Sequence, residues 1–119
     1  MRFFFCRLIA DQTAIRVHMR GRDMPPCVWL RAQDFNILKE QFLHRHYDLP
    51  LPLSLSSDMV VIDAGAHIGL ATLYLAEHYF PKAQFCLIEP SEKNRVLLRH
   101  NMTEERLPVQ IVEGVVSAH

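Results

Sequence analysis

The chain has no excess of charge of either sign: thirteen Lys and Arg stand against thirteen Asp and Glu over 119 residues. No basic stripe interleaved with aromatics occurs, so the electrostatic footprint of a nucleic-acid binder is missing and nucleic acid is not an expected partner. Cys6, Cys27 and Cys86 are odd in number and show no C-x-x-C spacing, which excludes a disulfide framework and a zinc site and points to reduced thiols in a cytoplasmic setting. Histidine is frequent, but His44 and His46 lie two apart, which on a helix turns them away from each other, and no i, i+4 pair with a third ligand offers a metal site. No Ser/His/Asp or Cys/His constellation is legible. No apolar run approaches the ~20 residues of a membrane span. In the opening MRFFFCRLIADQ, Arg7 interrupts the apolar run and no small-residue cleavage site follows, so neither a membrane segment nor a secretory leader is expected. With 50% hydrophobic and 22% charged residues, what remains is a globular chain that holds one core.

The informative stretch is Met59 to Gly69, MVVIDAGAHIG. Four apolar residues, an aspartate and a glycine-bearing turn lead into a helix-period run, which is how a buried parallel strand delivers its carboxyl end to a ligand. Gly65 and Gly69 are expected where the chain turns sharply and backbone approaches a ligand. A helix starting near His67 would present unpaired N–H groups to an anion. The order Asp63, Gly65, Gly69 meets only part of the dinucleotide pattern G-x-G-x-x-G, which favours a small zwitterion over a pyrophosphate. A second apolar strand then ends in Glu89, an acid placed to reach ribose hydroxyls. Asp63 has two roles open to it, orienting an ammonium group or capping the turn.

In chain order, Phe3 to Ala10 and Thr13 to Met19 read as strands around Asp11-Gln12, and Cys27 to Arg31 as a third. Asp34 is the expected N-cap of a helix on which Phe35, Leu38 and Phe42 share a face up to about His46. Leu49 to Ser57, punctuated by Pro50 and Pro52, is a connection. These features divide the chain into an N-terminal β/α lead-in, 1–57, and a sheet-forming part, 58–119. In the latter, strand Met59 to Asp63, helix Ile68 to Tyr79, strand Phe85 to Ile88, a helix capped by Ser91 and running to Met102, and strand Val109 to Glu113 form successive βαβ units with a parallel sheet.

The run VVIDAGAHIGLATLYLAEHYFPKAQFCLIEPSEKNRVLLRHN resembles the S-adenosylmethionine-dependent methyltransferases of the FkbM type, with DAGAHIG as first motif and LIEPSEKNRVLLRHN as second. WLRAQDFNILKEQFLHRHYDLPL, Trp29 to Leu51, is similar to the segment such enzymes carry upstream, so the resemblance spans roughly Trp29 to Ser117. His67 departs from it, since the family usually has asparagine there.

This resemblance implies an α/β fold, a partial Rossmann-like (class I methyltransferase) three-layer sandwich. It implies S-adenosylmethionine as cofactor, held by Asp63, Gly65, Ala66, His67, Gly69 and Glu89, with Tyr47 at the cleft edge and Glu113 and Val115 along the adenine ring. The implied reaction is O-methylation of a sugar or small natural product, the small-molecule partner. A complete domain of that class has about seven strands, and single domains run ~100–150 residues, so the expectation is a sheet truncated after its third core strand, without the region that would hold a general base. Truncation would leave the 59–63 strand as an open edge, to be covered by a second copy or another chain. Two other readings stay open: a non-catalytic cofactor-binding or assembly module, and a nicotinamide-binding half, against which the missing middle glycine and Glu89-Pro90 argue.

Overall fold

A computed structural model describes residues 2–9, 11–18, 27–44 and 59–118. The first part is an antiparallel sheet of β1 (Arg2–Ile9), β2 (Gln12–His18) and β3 (Cys27–Leu30), in that order. Asp11, at φ 60°, makes the tight turn between β1 and β2. The helical run that follows is irregular: a 3-10 turn over Ala32–Asp34, one α turn, α1 (Phe35–Leu38), and a π turn over Lys39–Leu43. Asp34 does not cap a regular helix as expected. Its backbone is already helical and its carboxylate turns back to accept from the Arg31 N–H at 2.9 Å.

The second part is a parallel sheet of β4 (Val60–Ala64), β5 (Gln84–Ile88) and β6 (Val109–Val112), with α2 (Leu70–His78) and α3 (Glu92–Glu104) as the crossovers. The chain is thus mixed α/β with a parallel three-stranded sheet. Element boundaries fall within a residue or two of the sequence expectation, and Ser91 does cap α3, its hydroxyl accepting from Asn94 N–H at 3.4 Å. Helix α2 begins later than expected: residues 65–69 form a separate turn and Gly69 is its N-cap.

Alternation along the strands decides where the core sits. Val61, Phe85, Leu87, Val109 and Ile111 face the helices and join the core cluster, with Leu87 fully buried. In the same register, Val60, Ile62, Cys86 and Val112 fall on the opposite face, where Val60 is 56% and Ile62 65% exposed. Among the described residues no helix covers that face. Among the described residues the layers are therefore sheet, helix, sheet, because the N-terminal sheet packs on α3. Asn101 of α3, fully buried, binds both backbone groups of Trp29 in β3, at 2.8 and 2.9 Å, and the Ile68 carbonyl at 2.9 Å. Residues from both stretches, Val17, Trp29 and Leu38 with Ile68, Tyr74 and Leu97, share one core.

Candidate functional site

The parallel register sets the site. Asp63 pairs with Leu87 and Ala64 with Ile88, so the turn after β4 and Glu89 after β5 leave the sheet side by side. The turn is pinned there: the N–H groups of Gly65 and Ala66 both donate to the Ile88 carbonyl, at 2.8 and 3.0 Å, and Glu89 N–H donates to Val112 O at 3.1 Å.

The two glycines do different things. Gly65 lies at φ +81°, and an added Cβ would meet nothing within 4 Å, so its need is conformational and the space beside it is open. Gly69, at φ +94°, is buried; a Cβ there would lie 2.5 Å from Met102 Cε and 2.8 Å from Leu98 Cδ1. The missing Cβ of Gly69 lets the turn approach α3. His67 also takes a left-handed conformation, φ +55°, a region in which histidine and asparagine are both enriched. Ala66 is buried.

Glu89 is 5% exposed. Its Oε2 accepts from His67 N–H at 2.7 Å, and its Oε1 from Ser91 N–H at 2.9 Å and the Asn94 amide at 3.3 Å. Burial pushes this carboxyl up, but the Ser91 and His67 N–H bonds and the Asn94 amide outweigh it and hold the group below its ordinary value. The acid is ionised and braces the turn to the start of α3. Asp63 accepts the Thr72 hydroxyl at 2.6 Å through Oδ2, which ties the end of β4 to α2.

Of the other residues expected at the cofactor, Glu113 follows β6 with its carboxylate 3.4 Å from Arg95, and its side chain is 75% exposed. Val115 is exposed, and Tyr47 lies outside the described residues.

A charged cluster behind the turn escaped the sequence reading. Arg31, buried, donates to Asp34 Oδ2 (2.8 Å) and Oδ1 (3.1 Å), to Gln12 Oε1 (2.9 Å) and to Asn94 Oδ1 (2.8 Å), and its Nη2 lies 3.3 Å from His67 Nε2. The one available signal was the Arg31–Asp34 spacing after a strand; their link to Asn94 is purely tertiary.

The residues present fit a small polar cofactor. Gly65 leaves room at the turn, Glu89 carries three of the roughly four bonds a carboxylate can accept, and among the described residues Asp63 Oδ1 accepts none. A cavity of about 650 Å³ lies elsewhere, between α3 and β6 with Arg99, Arg106, Leu107 and Ile111 on its walls. It is remote from the strand carboxyl ends, so its size says nothing about the turn. Among the described residues no helix is long and apolar enough to cross a membrane.

No protein-family model matches the chain, and no curated protein matches it. Among solved structures it is similar to a chain of a fibrillarin/Nop5p complex, at 18% identity and a TM-score of 0.48, over 90% of this chain and 49% of that one. This chain therefore spans about half the length of that one. At such a level of likeness no activity or partner carries over, and no family is established.

Proposed function

We propose that the turn after β4, with Glu89, binds S-adenosylmethionine, and that the chain is the cofactor-binding part of a methyltransferase of the FkbM type acting on a hydroxyl of a sugar or small natural product. The observation that supports this reading is the register that brings the left-handed, unobstructed Gly65 beside an ionised Glu89 at the carboxyl ends of adjacent parallel strands. The DAGAHIG and LIEPSEKNRVLLRHN motifs are what favours the FkbM type within this reading.

The cofactor would bring an electrophilic methyl group on a sulfonium. The chain's own part is binding and orientation: Glu89 accepts from ribose hydroxyls with its remaining acceptor capacity, Asp63 Oδ1 faces the ammonium, and Gly65 gives the backbone room. Transfer then depends on holding an acceptor oxygen in line with the methyl.

The test is isothermal titration of the purified chain with S-adenosylhomocysteine, run beside sedimentation. Saturable binding is expected, and Glu89→Ala should weaken it by roughly 10- to 100-fold, given charge-assisted bonds of about 1.5–3 kcal/mol. A folded chain that ignores S-adenosylhomocysteine sinks the proposal, and binding of NAD in its place supports the nicotinamide reading. A second reading, an assembly module that completes its sheet with another chain, is favoured by the uncovered β4, whose Val60 and Ile62 are largely exposed. A stable dimer with no cofactor affinity would support that reading instead.

A further inference from the structure

We infer that Arg31, held by Asp34, is the positioning residue that aims the Glu89 carboxylate, so that the N-terminal segment is a working part of the turn; this deepens the methyltransferase reading and rests on it for the identity of the ligand.

The connections form a closed ring. A guanidinium has only donors. Arg31 Nη2 therefore takes Asn94 Oδ1 as acceptor at 2.8 Å, which directs the other end of that amide, Nδ2, to Glu89 Oε1 at 3.3 Å. On the other side Arg31 Nη2, whose two hydrogens serve Asp34 Oδ1 and Asn94 Oδ1, packs 3.3 Å from His67 Nε2. The backbone N–H of the same His67 donates to Glu89 Oε2 at 2.7 Å. Each carboxylate oxygen is thus reached through a group that Arg31 holds or packs against.

Asp34 fixes Arg31 itself. It is 1% exposed and takes two guanidinium nitrogens and the Arg31 N–H. Such a two-pronged grip defines the plane of the guanidinium. Gln12 of β2 holds the third nitrogen at 2.9 Å and donates its own amide to Lys93 O at 2.9 Å. A pair serving only to neutralise buried charge would need neither the bond to Asn94 nor that to Gln12. The remaining groups at Glu89 come from its own side: Ser91 N–H on Oε1, and Arg95, whose guanidinium binds the backbone carbonyls of Glu89 at 2.9 Å and Pro90 at 2.6 Å. These hold the backbone of the segment, whereas Arg31 governs the direction of the carboxylate.

The test removes Arg31 without stranding the buried Asp34, by pairing Arg31→Met with Asp34→Leu; replacing a buried ion pair by apolar residues is often neutral for stability. Asn94→Ala is the second variant, which leaves the pair intact and cuts the link. Two readouts follow. The first needs no ligand: the Glu89 carboxyl is titrated by ¹³C NMR, and both variants should raise its midpoint. The second is S-adenosylhomocysteine affinity, expected to fall about tenfold in each variant, and to fall no further when either is placed in a Glu89→Gln background. An unmoved Glu89 titration overturns the inference, as does a loss of affinity that adds in full to that of Glu89→Gln, which would be a merely structural effect. If the parent chain does not bind S-adenosylhomocysteine, the methyltransferase reading fails and the Glu89 titration alone decides the role of Arg31. If the Met/Leu variant does not fold, Arg31→Lys, which keeps a charge beside Asp34 but loses the fork that reaches Asn94, takes its place in both readouts.

Discussion

Gly65 and Gly69 occupy the same motif, yet alanine at the two positions should have different consequences. Both have positive φ, +81° and +94°, so either substitution carries the left-handed penalty of roughly 1–2 kcal/mol for an L-residue. At Gly69 the new methyl must also displace Met102 Cε, 2.5 Å away, and Leu98 Cδ1, 2.8 Å away. Met102 can swing its terminal methyl, but Leu98 is fully buried in α3 and has nowhere to move. Overpacking of this kind costs about 1–3 kcal/mol, giving a total of roughly 2–5 kcal/mol from a fold whose whole stability is of the order of 5–15 kcal/mol. At Gly65 nothing lies within 4 Å, so the loss stays near the backbone penalty and the methyl enters the open space beside the turn. Urea unfolding of both variants followed by far-UV circular dichroism, with S-adenosylhomocysteine titration of whatever remains folded, separates the effects. Gly69→Ala should lower the unfolding midpoint sharply, and Gly65→Ala should lower affinity more than stability. Equal destabilisation by both would refute the division between a packing glycine and a site glycine.

Three further outcomes follow from individual contacts. His100 accepts from Arg7 Nη2 through Nε2 at 2.8 Å, which requires the neutral ring; burial first, and then the Arg7 charge, lower its pKa against the opposing pull of Glu104. The unfolded chain therefore binds this proton more readily, so the contribution is fully present above the ordinary value of 6.5 and is lost as pH falls below it. Unfolding followed by the single tryptophan, Trp29, whose ring centroid is 5.5 Å from that of His100, should show a drop in stability between neutral and acidic pH that shrinks in His100→Gln; an identical drop in both proteins refutes it. Asn101→Leu should cost on the order of 4 kcal/mol, because it removes three buried hydrogen bonds, to the Trp29 N–H, the Trp29 C=O and the Ile68 C=O, and a thermal midpoint within a degree of the parent would contradict that. Ile62→Lys, on the bare sheet face, should leave monomer stability within about 0.5 kcal/mol while abolishing any concentration-dependent association seen by sedimentation.

The parallel sheet was legible because its strands are short apolar runs between helix-period segments, and that pattern depends on local sequence alone. So was Ser91, where a hydroxyl, an acid in the first turn and an apolar helix face agree. Asp34 misled because a capping residue and a buried salt-bridge residue look alike in sequence: both are an acid before an apolar periodic stretch, and only the guanidinium three residues back in the folded chain decides between them. The layer order was not legible either. Nothing local says that Trp29 and Asn101, far apart in sequence, will pair their polar groups and place the N-terminal sheet against α3. Gly69 shows the same limit from the other direction. Its presence in a turn was legible, but what its missing Cβ makes room for depends on Met102 and Leu98, which arrive from another helix.

Glu89 combines the two descriptions of the site. The sequence marks it as an acid for a ligand, and the structure shows an acid already accepting from His67, Ser91 and Asn94. These roles are compatible, since a carboxylate offers about four acceptor positions and the bonds to the turn keep it ionised in spite of burial. They are also coupled. A ligand that donates to Glu89 binds only while the turn bonds hold the carboxylate in place, so binding and turn ordering share one equilibrium. Ligand at 100 times its dissociation constant then stabilises the ordered form by about 2.7 kcal/mol. That protection should be read at the amides of His67 and Ser91 by hydrogen exchange, because those two N–H groups are bonded to the acid directly. Exchange at Gly65 and Ala66 should respond less, since their N–H groups are bonded to Ile88 of the sheet rather than to Glu89. Uniform protection of all four amides would mean that the turn orders as a block through the sheet, and that Glu89 is a ligand acid with no bracing role.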